Sequence, residues 1–147
     1  ALNNYGAFLF AEGRLTEALG PLRDVVRDTA YPRRAQAYEN LGLAELEVGD
    51  LAAAETAFQR SLMLSVAQPR SNLELAHIYF DRGEYDLAQQ YFDAYAAVAR
   101  QNARSLWLGI RLSQRARNDD LIASYALALR NLFPDSREYQ LYEESLQ

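Results

Sequence analysis

No cysteine and no lysine occur among the 147 residues, and there is one histidine, His77. Without cysteine there is no thiol nucleophile, no disulfide framework and no thiolate zinc site. Without lysine there is no Schiff-base chemistry, and a lone imidazole excludes two-histidine metal motifs. Proline and glycine are scarce, at 4 and 7 residues. No apolar run approaches the ~18 residues of a membrane span, and no signal peptide is visible. All 15 basic residues are arginine, set against 20 acids for a net charge of −5, which disfavours a general nucleic-acid binder. What is abundant is alanine, with 24 residues, and leucine, with 23, in a chain that is 50% hydrophobic. That mixture builds helices around a core.

The helices are organised by an internal repeat. Gly13, Ala18 and Leu22 recur as Gly49, Ala54 and Phe58, then as Gly83, Ala88 and Phe92, with shifts of 36 and 34 residues. Tyr5–Gly6, Leu41–Gly42 and Leu75–Ala76 stand eight and seven residues before each glycine. A 34-residue period of this kind resembles the tetratricopeptide repeat, a helix–turn–helix unit. The small residues let paired helices approach, and the bulky residue is expected to fill the space between neighbouring repeats. The glycine suits a helix end that needs a left-handed backbone. The expected fold is all-α: a tetratricopeptide-repeat solenoid of antiparallel helix pairs in a right-handed superhelix.

One array is expected over 1–147, in units of about 1–32, 35–68 and 69–102, a degenerate unit at 103–134 and a capping helix at 137–146. The degenerate unit lacks the turn glycine. Asn118-Asp119-Asp120 stands there, with Asn118 expected to take the left-handed cap and the aspartates to begin a helix. Tyr31–Pro32 marks a two-residue insertion in a loop. Ala1 falls inside the first helix of its repeat, so further N-terminal repeats are expected in the parent protein.

No catalytic constellation stands out. The acidic pairs Asp119–Asp120 and Glu143–Glu144 read as helix-start and solvated charge, and nothing converges with His77. The expectation is a non-enzymatic protein with no cofactor and no metal. The repeat resemblance instead implies a concave groove lined by the first helix of each unit. That frame selects Phe10, then Glu39, Leu43 and Leu46, then Leu73, His77 and Phe80, then Trp107, Arg111 and Gln114. Large apolar side chains at several of these positions suit an extended or helical apolar peptide, with His77 as a hydrogen-bonding wall. They equally suit packing against second helices. A lysine-based carboxylate clamp is a poor fit, because the early groove positions hold Asn3, Glu39 and Leu43.

Charge is uneven. Residues 100–118 hold Arg100, Arg104, Arg111, Arg115 and Arg117 with no acid, a local +5. Arg104, Arg111 and Arg115 share one helix face. This basic face could steer an acidic segment or touch anionic headgroups, or be a solvated face balanced by Asp119 and Asp120.

Several irregular stretches carry a narrower resemblance: LNNYGAFLF at 2–10, DTAYPRRAQAYENLGLAEL at 28–46, QNARSLWLGIRLS at 101–113 and REYQLYEE at 137–144. They are similar over essentially the whole chain to the type IV pilus biogenesis and stability protein, the tetratricopeptide pilotin lipoprotein of Gram-negative bacteria. The resemblance implies a periplasmic protein held to the outer membrane by an N-terminal lipid absent from this chain. It also implies a partner, the outer-membrane secretin of the pilus machine, which the protein helps to localise and multimerise. The other reading is a generic peptide-binding adaptor or co-chaperone scaffold. Neither involves nucleic acid.

Overall fold

The computed structural model describes residues 15–147, and among these it contains eight helices and no strand. They are α1 (Leu15–Arg27), α2 (Arg34–Glu47), α3 (Leu51–Leu64), α4 (Pro69–Asp81), α5 (Tyr85–Val98), α6 (Ala103–Arg115), α7 (Asp119–Leu132) and α8 (Arg137–Ser145). The expected all-α class is the observed one. Two compact units divide at Ile78 and Tyr79.

The repeat is written most plainly in the backbone of the turns. After α2, Gly49 adopts φ +87°, and Asp50 N–H reaches back to the Glu45 carbonyl at 2.9 Å. After α4, Gly83 adopts φ +80° with Glu84 N–H on the Tyr79 carbonyl at 2.9 Å. After α6, Asn118 N–H closes the same loop on Ser113 at 2.9 Å. This hydrogen bond across six residues satisfies carbonyls that a helix end leaves open, and it needs one left-handed residue.

In the third turn that residue is Arg117, at φ +56°, and not Asn118 as its side-chain chemistry suggests. Asn118 is instead the N-cap of α7, accepting from Leu121 N–H at 3.1 Å. Asp50 does the same for α3 through Ala53 at 3.1 Å. Register overrides propensity here: the left-handed position falls 34 residues after Gly83, whatever side chain stands there. A left-handed residue with a Cβ costs about 1–2 kcal/mol. Arg117→Gly is therefore expected to raise stability by about 0.5–1 kcal/mol once glycine's extra unfolded-state freedom is subtracted. A higher urea midpoint at unchanged m-value is the check.

The first unit packs α1, α2 and α3 around Leu22, Val25, Tyr38, Leu41, Ala44 and Ala57. Its α2–α3 pair closes where Gly42 meets the ring of Phe58. A Cβ on Gly42 would lie 2.6–2.9 Å from three Phe58 ring atoms, and Phe58 is fully buried. Phe58 thus fills a gap inside its own helix pair, not one between neighbouring repeats. Phe92 of the second unit reaches Gly109 on α6, the following pair, at 2.9 Å from the corresponding Cβ position. The loop carrying Tyr31 and Pro32 joins α1 to α2, as expected. Arg34 closes it by donating Nε–H to the Val26 carbonyl at 2.7 Å.

In the second unit α6, α7 and α8 pack around Leu106, Ile110, Ala126 and Leu129. Asn102 and Ser105 form a reciprocal capping box at the start of α6, with both bonds at 2.8 Å. Ser136 caps α8 through Tyr139 N–H at 3.1 Å. The terminal helix thus covers the α6–α7 pair.

Candidate functional site

The expected groove residues separate into packed and accessible ones. Phe10 lies outside the described residues. In the first unit Glu39, Leu43 and Leu73 are buried, at 7%, 6% and 5% exposure, so little of them is left to meet a ligand. Leu46 and His77 remain half-buried.

Glu39 departs furthest from the groove expectation, because its carboxylate is an internal anchor. Oε2 accepts both the backbone N–H and the Oγ–H of Ser71, each at 2.9 Å. Pro69 is the first residue of α4, so Ser71 N–H is one of the first-turn donors that a helix cannot satisfy by itself. A carboxylate on α2 therefore caps α4 across the repeat boundary, where the helix dipole also favours negative charge. Sequence pattern alone gives no sign of this, because the two residues lie 32 positions apart.

A second buried acid, Glu45, is 5% exposed. Burial pushes its carboxyl above the ordinary range, opposed by Arg23 at 4.0 Å and reinforced by Asp50. It borders a shallow cleft of about 250 Å³ shared with Tyr38, Thr56, Ala57 and Arg60. A larger cleft of about 380 Å³ lies alongside, among Arg34, Tyr38, Thr56, Gln59, Arg60, Met63 and Leu64. Sequence reasoning did not select it. Met63, 84% exposed at the end of α3, is the most open of its apolar lining residues, and that exposure has no signature in the sequence.

In the second unit Phe80, Trp107 and Arg111 are half-buried, while Arg104 and Arg115 are exposed. The aromatic and basic residues, expected as two separate features, form one assembly. The Arg111 guanidinium carbon lies 4.6 Å from the Phe80 ring centre and 5.4 Å from that of Trp107. Arg115 lies 4.1 Å over Tyr85, and Tyr85 meets Phe80 edge-on at 5.1 Å. Trp107 also leans on Tyr142 of α8, at 6.5 Å, and so belongs partly to the core. Burial draws the Arg111 guanidinium below its ordinary value, opposed by Asp81 and reinforced by Arg104. It remains charged at neutral pH.

Among the described residues no group of three or more histidine, cysteine or acidic side chains could hold a metal ion. Nor is any helix there long and apolar enough to cross a membrane. The arrangement offers surfaces and fixed charges, which suits binding.

A tetratricopeptide-repeat family model matches residues 35–65 and 69–102. The type IV pilus assembly protein PilF of Pseudomonas aeruginosa is 44% identical over 142 residues, covering 97% of this chain. The solved structure of P. aeruginosa PilF matches with a TM-score of 0.95 over 98% of the chain. The chain is a tetratricopeptide-repeat protein similar over nearly its whole length to a type IV pilus assembly protein. PilW, described as a widely conserved type IV pilus biogenesis factor, matches with a TM-score of 0.74 and 29% identity over 96% of the chain. The chain spans 56% of the length of the P. aeruginosa relative, and 65% of the chain in each of the two PilF and PilW structures.

Proposed function

We propose that this protein is a pilotin-like assembly factor of the cell envelope. Its task is to help the outer-membrane secretin of a type IV pilus machine reach the membrane and assemble into its multimeric ring. The observation that carries this reading is the 44% identity to PilF over 97% of the chain, irregular stretches included. The surfaces support it, because half-buried apolar side chains are the usual anchors of a protein partner. Leu46 is such a residue in the first unit, and Phe80 and Trp107 are in the second. A preformed helical surface needs little ordering on its own side when a segment docks. The site of action in this reading is the periplasmic face of the outer membrane.

The test is made in cells that lack the gene. Secretin recovered from outer-membrane fractions is expected to shift from multimer to monomer, and the wild-type gene restores it. A Leu46→Glu, Phe80→Glu double variant that accumulates normally does not. Unchanged secretin multimers in the deletion strain overturn the reading, and a generic adaptor role then takes its place.

A further inference from the structure

The basic face of α6 has a feature that a solvated charge run lacks. Arg111 is held between two rings and Arg115 over a third. Because Phe80 and Tyr85 touch, both guanidiniums belong to one continuous aromatic platform. Rings that hold a guanidinium by its face restrict it to one plane. No carboxylate comes within ion-pair distance of either arginine among the described residues. Asp81 acts on Arg111 only as a longer-range charge, and nearby Glu84 pairs with Arg82 at 4.0 Å. Arg111 Nε is buried and makes no hydrogen bond there. Arg104 adds a third positive charge to the same face, and residues 100–118 contain no acid. Like charges at this spacing repel, and a half-buried guanidinium without a partner is costly.

We propose that the Arg111–Arg115 platform is a receptor for side-chain carboxylates of an acidic protein segment. Two planar forks four residues apart lie about 5–6 Å from each other at their Cβ atoms. Alternate residues of an extended strand are about 6–7 Å apart, so two acids separated by one residue fit both forks, each in bidentate pairing. A segment of protein fits better than a lipid surface, because Arg111 is recessed among rings where a flat membrane would engage only protruding side chains. Nucleic acid is disfavoured by the net charge of −5. This deepens the partner-binding reading above by naming the chemistry of one contact.

Trp107 is the only tryptophan and lies against Arg111, so its fluorescence reports this site directly. The full chain is titrated with an N-acetylated, C-amidated peptide of alternating glutamate and leucine. The expected result is a saturable change that weakens with added salt. Kd rises at least tenfold in Arg111→Glu, Arg115→Glu. It rises severalfold in Arg111→Lys, which keeps the charge but loses the fork, and circular dichroism checks that each variant is folded. Arg115→Glu alone, at an exposed position, also weakens binding. Equal binding of the same peptide with glutamine in place of glutamate overturns the proposal. So does an unchanged Kd in the charge-reversed variants, or a response to phosphatidylglycerol vesicles or single-stranded DNA but not to the peptide. Secretin binding that survives while the acidic peptide fails removes this inference alone; the reverse pattern removes the pilotin reading alone.

Discussion

Phe58→Ala is expected to destabilise the first unit by about 3–5 kcal/mol, the range for deleting a fully buried aromatic ring. The site has little means of collapse. Phe58 has no exposed surface, and its ring lies where a Cβ on Gly42 would be, directly against the α2 backbone. The converse change is informative too. Gly42→Ala is favoured within a helix by about 0.5–1 kcal/mol, yet here it meets ring atoms at 2.6–2.9 Å. Overpacking costs about 1–3 kcal/mol, so the net effect is a loss. Combining Gly42→Ala with Phe58→Leu frees space at the contact and costs less than the sum of the two single changes. Urea midpoints of the four proteins give the coupling directly. A Phe58→Ala loss below about 1 kcal/mol would mean that this contact does not hold α2 to α3.

The second large effect is expected at Glu39. Removing its carboxylate in Glu39→Ala takes away a charged acceptor from two buried donors of Ser71, with an expected cost of about 1.5–3 kcal/mol. Glu39→Gln keeps an acceptor oxygen and loses less. The amide of Ser71 reports the cap without ambiguity, since its hydrogen exchange accelerates in Glu39→Ala while amides late in α4 change less. In a cycle with Ser71→Ala, the two changes together cost less than their sum. Full additivity would contradict the cap.

These two residues also mark what a sequence yields and what it withholds. The small and bulky positions were legible from their fixed offsets, but the partner was not: Phe58 was expected between neighbouring repeats, and it packs on Gly42 of its own helix pair. The degenerate unit expected at 103–134 holds two helices, at 103–115 and 119–132. Glu39 was misread because the groove frame knows positions but not partners. A carboxylate facing Ser71 across 32 residues has no local signature. The same frame placed Leu43 and Leu73 in the groove, and their apolar side chains suited it, yet burial in a core requires the same property. Arg117 shows the opposite failure. Propensity pointed to Asn118 for the left-handed position, and the 34-residue register decided otherwise. The aromatic platform was half visible: Phe80, Trp107 and Arg111 were singled out, but the contact of Arg111 with Phe80 depends on how the end of α4 meets α6. Tyr85 fell outside the groove frame altogether.

In the function proposed above, this scaffold binds a secretin through its accessible apolar side chains. Calorimetric titration of the full-length purified protein with purified outer-membrane secretin is then expected to show saturable binding. That binding weakens at least tenfold, or about 1.4 kcal/mol, in a folded Leu46→Glu, Phe80→Glu variant. Absence of binding by the wild-type protein, or equal binding by the variant, would contradict it.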